Sequence, residues 1–163
     1  MKYLIPVGIV LFAAISHADT ITTESLLDEM TDLYRLTRLS APSYTTRQFS
    51  SYDRRSTTPD NELWFANGDA GQYLRVDEQN GRKEFVMMDI DGPGTIVRIW
   101  SANPEGTLRI YIDGNEKPVI EADMKLLLNG DSPGLPQPIA GVRAQGWNLY
   151  FPISYARHCK VTS

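Results

Sequence analysis

The chain of 163 residues has one cysteine, Cys159, and two histidines, His17 and His158. One cysteine cannot form an internal disulfide, so the fold must hold itself together by packing. With so few His and Cys, a zinc site built from those ligands is excluded, and no metal or other cofactor is expected. Cys159 lies in "RHCKVTS", which alternates like a strand. It reads as a small buried hydrophobe, and a neighbouring His158 would point to the opposite face, which makes a Cys–His catalytic pair awkward.

Positive charge is scarce. Lys and Arg number 16 against 20 Asp and Glu, for a net charge of −4, and no basic run exceeds two residues. A nucleic-acid partner therefore has no footprint, and an acidic chain has no electrostatic reason to seek anionic lipid. Gly-rich stretches such as "NGDAGQ" and "DGPG" do not sit between a strand and a helix with a following Lys, so no phosphate cradle is indicated. No serine stands in a Gly-x-Ser-x-Gly context, and a serine hydrolase is disfavoured. Oxygen-only calcium sites at the Asp-Gly turns stay open, although such turns form readily without metal.

One long apolar run is present, at the start. "MKYLIPVGIVLFAAISHA" carries Lys2, an apolar segment from Tyr3 to Ile15, then small residues before a cleavage point after Ala18. That is the pattern of a secretory signal peptide over residues 1–18, placing the mature chain outside the cytoplasm, secreted or periplasmic, with no membrane contact after cleavage. An uncleaved anchor is the competing reading, but Asp19 and Thr20 open a polar region at once.

Residues 19–42 carry a helical pattern. Leu26, Leu27, Met30, Leu33 and Tyr34 share one face, Thr22 or Thr23 can cap the start, and Pro42 forbids continuation. About four turns of amphipathic helix are predicted. Residues 40–62 are rich in Ser, Thr and Pro and read as a long loop. Beyond them the period changes from 3.6 to 2. Strands are predicted over 72–76, 84–89, 95–102, 107–113 and 117–121, with a helical turn over 124–128, an irregular loop over 129–146, and final strands in "WNLYFPI" and "HCKVTS". The implied fold is all-β: an antiparallel jelly-roll-type β-sandwich with a short N-terminal amphipathic helix. "DIDGPGTIVRIWSANPEGTLRIYIDG", residues 89–114, is predicted to form its central hairpin, presenting Arg98, Trp100, Arg109 and Tyr111 on an exposed platform. The stop at Ser163, directly after a strand pattern, leads us to expect a fragment of a longer chain.

Carboxylates are plentiful, and the least turn-like is Asp53 in "SSYDRR". Flanking guanidinium groups would keep it ionised, either to accept hydrogen bonds from sugar hydroxyls or to tie down the loop as an Asp–Arg pair. Trp100 can stack on a sugar face or plug the end of the sandwich. Asn148 in "GWNLYFP" offers amide donors and an acceptor to hydroxyls, or satisfies its own turn.

The strings "LLDEMTDLYRLTRL", "QFSSYDRRS", "DIDGPGTIVRIWSANPEGTLRIYIDG", "KPVIEAD" and "GWNLYFPISYARHCKVT" occur in this order over residues 24–162. Together they resemble the secreted bacterial family catalogued as domain-of-unknown-function family 2961 and grouped with glycoside hydrolase family 172. The resemblance implies two consecutive jelly rolls, assembly into homotrimers or larger, and retaining hydrolysis of α-linked furanosides of fructose or D-arabinose in an oligosaccharide or polysaccharide. Residues 43–163 would correspond to the first jelly roll. The family's nucleophile and acid/base are glutamates, expected downstream of residue 163, so no catalytic residue is assigned here. By the same resemblance Ser51, Asp53 and Arg54 are substrate-side or cleft-shaping residues, and Trp100 and Asn148 are further candidates for the substrate side. The alternative is a non-catalytic carbohydrate-binding or assembly sandwich.

Overall fold

In the computed structural model, which describes residues 20–39, 44–79 and 81–163, ten strands and two α-helices follow one another. They are α1 (Thr23–Thr31), β1 (Arg75–Gln79), β2 (Arg82–Asp91), β3 (Gly94–Ile96), β4 (Ile99–Ser101), β5 (Thr107–Ile112), β6 (Ile120–Asp123), α2 (Met124–Leu128), β7 (Ala140–Arg143), β8 (Gly146–Leu149), β9 (Ile153–Tyr155) and β10 (His158–Thr162). Residues 1–18, which read as a signal peptide, together with Pro42 and Asn80, lie outside the described residues.

All pairings are antiparallel. One sheet has the order β1-β2-β10-β5-β6, a second has β4-β8-β7, and β3 pairs with β9 between them. These pairings combine into one device. The chain from β2 through β4 runs beside the chain from β10 back through β8, so a single long ribbon leaves the five-stranded sheet, bends, and enters the three-stranded one. The bend falls at Gly92 and Gly94, where a Cβ on either glycine would run into the ring of Tyr155. Small residues are needed there because an aromatic ring lies directly on the backbone.

The core sits between the sheets. Leu108 and Ile110 of β5, Cys159 and Val161 of β10, Ile96, Leu149 and Ile153 of the ribbon, and Leu127 and Leu128 of α2 form one buried cluster. Asp123 caps α2 by accepting from the Leu126 N–H at 2.9 Å. The Cys159 thiol is fully enclosed, and burial pushes its pKa up to about 12, so it is not a nucleophile at neutral pH. His158 points the other way, to Asp89 on the outer face.

That outer face of the five-stranded sheet is polar in rows. Asp89, Lys160 and Tyr111 stand opposite one another across β2, β10 and β5, and Thr162, Arg109 and Glu121 do so across β10, β5 and β6. Under them Glu84 is completely buried. Its carboxylate accepts from the Tyr111 hydroxyl at 2.7 Å, the Thr162 hydroxyl at 2.8 Å and Arg82 at 2.8 Å. Burial alone would raise its pKa, but the bonds from Tyr111, Thr162 and Arg82 outweigh burial and hold it below the usual carboxylate range.

Three features differ from the sequence reading. The stretch 89–114 is not a hairpin: β4 pairs with β8 in one sheet, while β5 pairs with β6 and β10 in the other. Its "NPEG" loop crosses between sheets. The alternation also breaks at Val97 and Arg98, which lie outside any strand, so Ile96 and Ile99 both reach the core although three residues apart. Tyr111 is buried at 3 % exposure, bonded to Glu84, and is not part of an exposed platform. Second, the predicted loop over 129–146 contains β7. Its hairpin to β8 turns through Ala144 and Gln145, both at positive φ. A turn of that kind normally announces itself with Asn-Gly or Gly, and here it does not. Third, the helix is shorter than four turns. Thr22 and Ser25 form a capping box at its start, but α1 ends at Thr31, and the side chain of the following Asp32 caps a separate 3₁₀ segment, Leu33–Thr37. Neither segment buries a residue.

Candidate functional site

The site lies where the long loop meets the end of the three-stranded sheet. A cleft of about 340 Å³ is lined by Ser50–Asp53, Ser56, Ala66, Asn67, Asp69 and Trp100. It brings together Ser51, Asp53 and Trp100 from positions far apart in the chain.

Asp53 is the anchor. It is the one buried residue described between positions 20 and 74. Its carboxylate accepts two bonds from the Arg55 guanidinium, at 3.0 and 2.6 Å, one from the Arg55 backbone N–H at 3.0 Å and one from the Gly68 N–H at 2.8 Å. The Arg55 guanidinium and these two N–H groups hold the Asp53 carboxyl far below the usual carboxylate range. A Cβ on Gly68 would lie 3.1 Å from both Asp53 and Arg55, so the close approach favours glycine. This set of bonds pins residue 53 to residue 68 and closes the intervening loop. The partner is Arg55 and not Arg54.

Arg54 closes the same loop from outside. It donates to the Ser50 carbonyl at 2.9 Å, the Tyr52 carbonyl at 3.3 Å and the Gln72 carbonyl at 3.4 Å, and it lies 3.8 Å over the Tyr52 ring. Its charge is directed at the protein's own backbone, and it does not line the cleft.

Trp100 stands on β4, opposite Asn148 of β8. The indole lies over Gly146, where a Cβ would collide with it. The ring is 53 % exposed and faces the cleft. Asn148, by contrast, is buried. It accepts from Arg98 at 2.9 Å and donates to the Gly146 carbonyl at 2.8 Å, so its amide braces the β7–β8 hairpin from within. Ser51 is exposed on the cleft wall. Asn67 and Asp69, which also line the cleft, were not singled out as site residues in the sequence. They sit in "NGDAG", and only closure of the loop by Asp53 carries them to Ser51 and Trp100.

A second cavity, about 290 Å³, lies on the outer face of the five-stranded sheet among Arg75, Gln79, Asp89, Tyr111, His158 and Lys160. Its charges answer one another. Arg75 bonds Asp77 at 2.8 Å and also Asp89, Asp89 bonds His158 at 2.7 Å, and Lys160 reaches Asp77 at 3.4 Å. Arg75 keeps Asp77 ionised below its ordinary pKa. A network so paired stiffens a sheet and leaves little for a ligand. Among the described residues no group of three His, Cys, Asp or Glu is placed to hold a metal ion.

The family model for the GH172 first beta-sandwich domain matches residues 42–163, most of the chain, and the N-terminal helix falls outside the match. No curated protein and no solved structure matches the chain.

Proposed function

The chain belongs to the GH172 family, as its first β-sandwich domain, and from that membership we propose that it forms the N-terminal jelly roll of a secreted, retaining glycoside hydrolase acting on α-linked furanosides. In this reading it supplies a wall of the sugar cleft, and the two catalytic carboxylates come from elsewhere in the enzyme. The observation that carries the reading is the cleft itself. It combines an exposed indole with hydroxyl, amide and carboxylate groups, which is the mixture a sugar ring requires. No glutamate lines it. Retaining hydrolysis needs two carboxyl groups about 5 Å apart across the glycosidic bond. Asp53 is a poor candidate for either, because every oxygen of its carboxylate is held by Arg55 and Gly68.

The test is direct. The purified chain should bind α-D-arabinofuranosides or fructofuranosides, with perturbed resonances at Ser51, Asn67 and Trp100, and should release no nitrophenol from nitrophenyl α-D-arabinofuranoside. Release of nitrophenol by this chain would place the catalytic acids within it and end the proposal in this form.

A second reading, a carbohydrate-binding or assembly sandwich that works as a homo-oligomer, is favoured by one observation. Leu33, Tyr34, Leu36 and Leu39 are each at least 75 % exposed. Apolar side chains of that size in a row suit a covered interface. Sedimentation of the chain distinguishes a monomer from such an assembly.

A further inference from the structure

The polar groups around the cleft fall into two sets. The first is satisfied by the protein. Asp53 is held by Arg55 and by backbone N–H groups, and the Ser56 hydroxyl donates to the Trp64 carbonyl at 2.5 Å. The second set lines the cleft without such partners among the described residues: the Ser50, Ser51 and Tyr52 hydroxyls, the Asn67 amide and the Asp69 carboxylate, beside the half-exposed indole of Trp100. No Lys or Arg lines the cleft. The Arg55 guanidinium, outside the lining, is paired with Asp53 through Nε and one terminal nitrogen, so its charge is matched within the protein.

Resting on the carbohydrate reading above, we infer that Asp69 is the cleft's acceptor for ligand hydroxyls, and that the cleft selects neutral sugars over phosphorylated or uronate ones. An ionised carboxylate takes charge-assisted hydrogen bonds from adjacent hydroxyls of one ring. Asn67, two residues earlier, supplies both a donor and an acceptor. Trp100 offers the apolar face against which the C–H side of a sugar can lie. A phosphate or carboxylate on the same sugar would meet Asp69 with no Lys or Arg in the cleft lining to compensate, and unpaired like charge is an effective means of rejection.

The probe pair is methyl α-D-arabinofuranoside and its 5-phosphate, which differ in charge on one ring, titrated into the purified chain and followed by NMR. The neutral glycoside should bind and the phosphate should not. Asp69→Asn should weaken the neutral glycoside about tenfold, as removal of a charged acceptor does. Asp69→Lys should shift preference toward the phosphate. Asp60→Asn, an acid of the same loop outside the cleft, should leave the titration unchanged. If the phosphate binds the unaltered protein as well as the neutral glycoside does, the inference fails. It also fails if Asp69→Asn binds normally while Trp100→Ala does not, and in that case the sugar-binding reading survives. If neither glycoside perturbs a cleft resonance, both fall together.

Discussion

Residues 75–163 and residues 20–74 are built on opposite terms. In the sandwich, Val86, Leu108, Ile110, Leu128 and Cys159 are wholly enclosed, and one apolar cluster joins both sheets and α2. In the arm before it, Asp53 alone among the described residues is buried, while Leu36 is 80 % and Leu39 97 % exposed. The sandwich is held by area removed from water. The arm is held by hydrogen bonds that close a loop: Asp53 to Arg55 and Gly68, and Arg54 to three carbonyls. The difference teaches where rigidity and chemistry divide. The cleft takes Trp100 from the packed part and Ser51, Asn67 and Asp69 from the part closed by these hydrogen bonds.

The largest effect should come from cutting into the core. Leu108→Ala removes a side chain at 0 % exposure from β5 and leaves a cavity, at a cost of about 3 kcal/mol. Leu36→Ala in the arm removes the same atoms from water-exposed surface and should shift stability by less than about 0.5 kcal/mol. Urea unfolding of the two variants measures the contrast. A comparable loss for Leu36→Ala would mean that the arm is packed in solution against something that covers it.

A smaller effect should come from the polar side of the same sheet. Glu84→Gln keeps the shape but loses the charge that Tyr111, Thr162 and Arg82 serve, costing about 2 kcal/mol. The native pKa of Glu84 is lowered, so the contribution is complete above the unfolded carboxylate value and is lost as pH falls through the folded one. Asp77 and Asp89, also lowered, act in the same direction. The sandwich should therefore be equally stable on either side of neutrality and should weaken below about pH 4. In Glu84→Gln that acid slope should flatten. An unchanged slope would assign acid unfolding to other carboxylates.

How much of this was legible follows the same division. The sandwich announces itself because period-2 alternation reports burial on one face, and "TLRIYI" and "HCKVT" do lie in strands. Alternation does not report which strand pairs with which. The run "GTIVRIWSANPEGTLRIYIDG" therefore looked like a hairpin, although its two halves belong to different sheets. Strand β7 was missed because Ala144 and Gln145 make its turn without glycine. At the site, Ser51 and Asp53 could be noticed as a cluster in sequence, but Asn67 and Asp69 become neighbours of Trp100 only through a bond from residue 53 to residue 68. Nothing local in "NGDAG" records that bond. Glu84, the most buried carboxylate, was also silent, because a charged residue in a strand reads as solvent-facing until its partners on β5 and β10 are known.

The smallest expected change in global stability comes from the substitution closest to the site. Asp53→Asn retains the volume of the side chain but cannot accept from the Nε and terminal nitrogen of Arg55 and from the Gly68 N–H at once. The loop between residues 53 and 68 should then open locally, while the sandwich keeps its unfolding midpoint. Arg54 and Arg55 lie in that loop, so trypsin reports the opening, and cleavage there should be faster by about tenfold. Arg55→Lys should act in the same direction, because an ammonium cannot reproduce the fork. Sugar binding should weaken in both variants even though neither side chain need touch the ligand, since Asn67 and Asp69 would no longer be held opposite Trp100. If instead Asp53→Asn lowers the midpoint of the whole molecule, the arm and the sandwich unfold as one unit. The latch would then be part of the fold's cooperative core and not a local closure. If cleavage and binding are both unchanged, Arg54 alone suffices to keep the loop closed, through its bond to the Gln72 carbonyl.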